Sequence, residues 1–74
     1  MKVYTLHIKH TWPREEVIDL GNDEFEIHSK QPLTRGKANK DAVKLLARHL
    51  GLHQTQLMLT AKEGNPVKQV LVME

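Results

Sequence analysis

Cysteine is missing from this sequence altogether. That removes disulfides, thiolate nucleophiles and zinc–thiolate sites from consideration. Serine occurs only at Ser29, outside any strand–turn–helix context that would present a nucleophile, so nucleophilic catalysis has no support. Aromatic residues are confined to Tyr4, Trp12 and Phe25, too scattered for a platform on which successive bases stack. No apolar run approaches the roughly 20 residues of a membrane-spanning helix. The opening MKVYTLHIKH lacks the apolar stretch and small-residue cleavage site of a signal peptide. The expected setting is the cytosol, with no membrane partner.

What is present fits one small domain, residues 1–74, with 39% apolar and 27% charged residues, the balance of a soluble globular chain. A domain of this size buries only about 60% of the surface its unfolded chain exposes. A deep multi-substrate active site is hard to build in it, so an enzyme is not the leading expectation, and no catalytic residue and no cofactor is assigned. Net charge is only +2, but the charges are segregated. Glu15, Glu16, Asp19, Asp23, Glu24 and Glu26 fall in 15–26 without a Lys or Arg. Arg35, Lys37, Lys40, Lys44 and Arg48 fall in 35–48 against one acid, Asp41. Such a molecule has a dipolar field with one face able to attract anions.

Residues 3–9 alternate, with Tyr4, Leu6 and Ile8 on one side, as a strand does. Pro13 ends that pattern. Residues 16–20 and 24–30 read as a hairpin around the loop 21–23, with Phe25, Ile27 and Ser29 sharing a face. Pro32 and Gly36 punctuate a connector. Ala38, Ala42, Leu45, Leu46, His49 and Leu50 then recur at helical spacing, predicting a helix over about 38–50. Thr34 and Asn39 both qualify as its N-cap. Gly51 supplies a left-handed stop, and Leu52 can fold back as in a Schellman cap. Segments 56–61 and 67–73 read as strands joined by a turn at 62–66. The expected fold is α+β: a two-layer domain, order β-β-β-α-β-β, its mixed and mostly antiparallel sheet covered on one face by the helix.

The stretch QPLTRGKANKDAVKLLARHLGL resembles the signature of the YggU-like family of small α/β proteins, in which a strand runs through a Pro into Gly-Lys-Ala-Asn and a helix. Pro32, Gly36, Lys37, Ala38 and Asn39 match position by position, and Lys68, Val70 and Val72 match a later Lys-x-Val-x-Val element. The likeness covers nearly the whole chain. It departs at KEGNPVK, where Lys62, Asn65 and Pro66 stand in place of a Gly, a Ser and an Arg, and in the absence of the C-terminal helix that longer relatives carry. If that Arg contributes to binding in the family, it is either lost here or replaced by Lys62. The resemblance implies a two-layer α/β fold and brings no activity with it.

The candidate site is the Gly-Lys loop and the helix that follows. A glycine beside a helix start lets the backbone approach a ligand, and the first amides of a helix favour anions. Arg35, Gly36, Lys37 and Asn39 form that loop; Lys40, Lys44 and Arg48 extend the charge along one helix side, with Lys9 and Lys68 as weaker additions. It is not a P-loop, because Gln31 stands where the first Gly belongs and Ala38 where the Ser or Thr belongs. The bland alternative is a helix start with a solvated basic face. The expected ligand is RNA, DNA or another phosphorylated partner. A second expectation, from a different class, is a protein-interaction module using the acidic hairpin or the open sheet face; the chain itself is expected to be a monomer. The histidines, 5 in all, do not make a metal site. His7 and His10 point to opposite faces, and Gly51 interrupts the helix between His49 and His53, leaving His49 expected as a partly buried, hydrogen-bonded residue.

Overall fold

The computed structural model describes residues 2–32, 34–60 and 67–73. Strands β1 (Lys2–Lys9), β2 (Glu16–Gly21) and β3 (Glu24–His28) precede the helix α1 (Lys37–Leu50), and β4 (Leu57–Thr60) and β5 (Val67–Val72) follow it. They form one five-stranded sheet in the order β2-β3-β1-β5-β4. β1 and β3 run parallel, and the other neighbours are antiparallel. The expected α+β class, the element order and the mixed, mostly antiparallel sheet are all present. The turn expected at 62–66 lies outside the described residues. No described helix is long and apolar enough to cross a membrane.

Alternation places the strands' apolar sides under the helix. Leu6, Ile8, Phe25, Ile27, Leu57, Val70 and Val72 meet Ala38, Ala42, Leu45 and Leu46 in a single core. Ala38 and Ala42 are fully buried, and their small side chains let the helix sit close to the sheet. Phe25 takes Tyr4 edge-on at 5.4 Å between ring centroids.

The hairpin differs from expectation by one residue. Its turn is Asn22–Asp23, both left-handed at φ 51 and 60, while Gly21 at φ 81 stays in β2 beside a register shift. Two left-handed residues give the I′ geometry whose twist matches flanking strands. Asp19 Oδ1 accepts from the Gly21 N–H at 2.8 Å and steadies the bend. Lys2 reaches the same turn at 3.2 Å from Asp23, which holds the Lys2 ammonium above the ordinary lysine pKa, first through the hydrogen bond and then through charge.

β3 ends at His28 rather than at residue 30 because Ser29 turns the chain. The Ser29 N–H still donates to the Lys9 carbonyl at 2.8 Å, but its hydroxyl accepts from the Gln31 N–H at 3.0 Å. The same hydroxyl donates to Asp41 Oδ2 at 2.6 Å, tying the end of β3 to the first turns of α1. At the far end of α1, Gly51 adopts φ 71; its N–H donates to Arg48 and the Leu52 N–H to Ala47, the expected Schellman closure.

Candidate anion-binding face

α1 starts differently from either expected cap. Thr34–Gly36 forms a 3₁₀ turn, Gly36 is the N-cap at φ 71, and no side chain caps the helix. Neither Thr34 nor Asn39 serves as the cap. Arg35 is also left-handed, at φ 55. Two successive left-handed residues reverse the chain sharply, so the cap role falls to a residue with no side chain to offer. The Ala38 N–H donates to the Pro32 carbonyl at 3.0 Å. One early amide of the helix is thus committed within the loop, and an anion there depends more on side chains than on the backbone.

The side chains are well placed for that. Arg35, Lys37, Lys40, Lys44 and Arg48 are all exposed. On an α-helix Lys37, Lys40, Lys44 and Arg48 fall within a sector of about 80° opposite Leu46, with Leu45 flanking it, and the row spans about 16 Å at 1.5 Å rise per residue. None of them forms an ion pair among the described residues. The one acid on the helix, Asp41, is occupied by Ser29. Like charges at these spacings repel one another along the helix side.

Gly36 and Asn39 are only partly exposed. Asn39 Oδ1 is buried without a hydrogen-bond partner, so at this position the side chain faces inward more than toward a ligand. Lys68 departs furthest from the sequence-based picture. It is 4% exposed and sits on the helix side of β5, in phase with Val70 and Val72 and opposite Leu6 of β1. It therefore does not belong to the exposed row. Lys9, at the end of β1, is exposed but lies on the opposite side of the sheet.

The histidines take separate roles. His49 is exposed, contrary to expectation, with its ring edge-on to Phe25 at 5.5 Å. A cleft of about 260 Å³ between α1 and β2, lined by Glu15, Glu16, Val17, Leu45, Arg48 and His49, leaves it open to solvent. His53 caps the following 3₁₀ turn: its ring accepts from the Thr55 N–H at 3.3 Å, and its own N–H donates to Gln56 Oε1 at 3.0 Å. His7 contacts Glu24 at 3.1 Å, and His28 contacts Glu26 at 2.7 Å and Glu16 at 3.5 Å. Among the described residues no group of three or more such side chains is placed to hold a metal ion.

Three of the acids of 15–26 lie on the far side of the sheet. By register, Glu16, Glu24, Glu26, His7 and His28 share the face turned away from α1. The segregation along the chain carries over to the faces only in part, since Lys9 lies on the same sheet face as these acids and Asp19 on the helix side. No protein-family model matches the chain.

Proposed function

We propose that this protein is a non-enzymatic binder of nucleic-acid phosphates, through the exposed row Arg35, Lys37, Lys40, Lys44 and Arg48 on and beside α1. The observation that carries the reading is that this row faces solvent with no ion-pair partner among the described residues. A row about 16 Å long follows several phosphates of a strand, and side chains of this kind contact the backbone without reading sequence. Too few aromatics share the face for base stacking to hold the strand. Affinity then comes from counterion release and falls with salt. Other phosphorylated ligands use the same charges. The reading takes the chain as a cytosolic, monomeric YggU-like domain; Gly36, Lys37, Ala38 and Asn39 support that placement.

The test is retention on immobilised single-stranded RNA across a salt series. The slope of log affinity against log salt falls by about 0.7 for each phosphate no longer neutralised on a single strand. Lys44→Glu together with Arg48→Glu removes two cations, adds repulsion and abolishes retention, with the amide spectrum showing the fold intact. Retention that survives both changes contradicts the proposal.

A further inference from the structure

His28 is a buried titratable group that the basic row does not use. It stands on the open sheet face, yet it is only 7% exposed, because the Trp12 ring covers it at 4.8 Å between centroids. The loop after β1 seats the indole there. The Trp12 N–H donates to the Ser29 carbonyl at 2.8 Å, and the Thr11 N–H to the Gln31 carbonyl at 2.9 Å. Thr11 takes a left-handed φ of 55 to do so, a strained conformation for a β-branched residue.

Each ring nitrogen meets a different carboxylate. Nε2 lies 2.7 Å from Glu26 Oε2, on the same strand. A carboxylate only accepts, so Nε2 carries a proton and donates it. Nδ1 lies 3.5 Å from Glu16 Oε1 on the adjoining strand β2, and it is buried without a hydrogen-bond partner. In the neutral ring the Nδ1 lone pair points at a carboxylate, with no proton between them, and such a buried acceptor is costly. In the protonated ring both nitrogens donate and both carboxylates are satisfied. The Glu16 side chain is 53% exposed, so it can close the gap by about 0.5 Å to a hydrogen bond. The other charges nearby compete weakly. Lys9 of β1 pairs with His28 by register and opposes positive charge on the ring, but it is exposed. His7, opposite Glu26 on β1, is turned to Glu24 at 3.1 Å. His10, in the loop with Trp12, is exposed and contacts the Thr11 hydroxyl at 3.0 Å. Arg14, Glu15 and Lys30 are exposed and form no ion pair with His28. Because the two carboxylates face different nitrogens, they do not converge on a metal ion; what fits between Nδ1 and Glu16 is a proton.

We propose that His28 is a proton-operated tie between β2 and β3: a proton on Nδ1 completes the contact with Glu16 and holds the edge strand, and loss of that proton releases it. β2 is bonded to the sheet along one side only, and it forms one wall of the cleft that Arg48 and His49 line from α1. The state of His28 therefore sets how firmly that wall stands. The tied strand holds the Nδ1 proton more firmly than the released one. The tie is thus complete at the acid end of the histidine range of about pH 5–8 and is lost toward its alkaline end.

The experiment is amide hydrogen exchange of the isotope-labelled full chain at steps from about pH 5.5 to 8. Protection is corrected for the intrinsic amide rate, and the His28 ring nitrogens are followed by NMR at the same steps. The expected result is that β2 amides bonded to β3 lose about tenfold in protection as Nδ1 loses its proton, while β4 and β5 stay unchanged. Trp12, the single tryptophan, brightens over the same range, since a protonated imidazole quenches an indole beside it. Glu16→Gln removes the dependence and keeps the fold, because an amide can donate to the neutral ring or accept from the protonated one. His7→Gln leaves the dependence in place. Flat protection across the range overturns the proposal. So do a dependence that survives Glu16→Gln, one that His7→Gln abolishes, and a His28 ring whose Nδ1 takes up no proton in this range.

Discussion

Ser29 shows how one small side chain sets the entry to α1. It is fully buried, donates to Asp41 and accepts from the Gln31 N–H. Ser29→Ala leaves that N–H and a carboxylate oxygen without their partner, which costs about 1–3 kcal/mol. Urea denaturation should show the midpoint falling at unchanged slope. An unchanged midpoint would mean that water replaces the hydroxyl fully. The alternation of β3 already put Ser29 beside Phe25 and Ile27 on the core side. Its partner was not legible, because Asp41 lies 12 residues on, across a reversal that no spacing rule specifies. Lys68 was legible and misread. Its phase with Val70 and Val72 is that of a core-facing residue, but its charge drew it into the basic set. The burial of His28 under Trp12 had no signal, because Trp12 returns from a loop held by its N–H on the Ser29 carbonyl at 2.8 Å.

At the scale of elements, α1 was the most readable part of the chain. Its apolar period fixed the buried side, and Gly51 fixed its end. Open space surrounds the position of a Cβ at Gly51, so Gly51→Ala meets no clash. Its effect is backbone strain at φ 71, about 1–2 kcal/mol. A thermal melt reads this directly, and a variant as stable as the parent would show that the Schellman turn reforms with another backbone. The start of α1 was less readable. Arg35 in a left-handed conformation is unexpected for a bulky residue, and a cap made by Gly36 leaves no side-chain signature. His49 followed the helical stripe but emerges beside the cleft, because β2 at the sheet edge leaves that flank of α1 uncovered. The hairpin was placed within one residue, since Gly-Asn-Asp marks a turn but does not say which two residues occupy its corners.

In the whole molecule the basic row lies along α1, while Glu16, Glu24 and Glu26 lie on the sheet face turned away from it, where Lys9 also stands. The acidic and basic runs were plain in the sequence, but their assignment to faces needed the register. Asp19 points to the helix side of β2 while Glu16 lies with Glu24 and Glu26 on the other. A row of Val3, Leu71 and Met58 crosses that open face and was invisible for the same reason: its members come from three strands far apart in the chain. With a net charge of +2, long-range attraction to polyanions is weak overall, and orientation by the basic row dominates. Binding of a strand should therefore engage α1 and leave the open sheet face unaffected. The measurement that tests this most directly is an amide chemical-shift titration of the labelled protein with a short single-stranded RNA at two salt concentrations. The account predicts shifts along residues 35–48 that shrink as salt rises, with Val3, Met58 and Leu71 unmoved. An absence of shifts at millimolar RNA, or shifts confined to the sheet face, would contradict it.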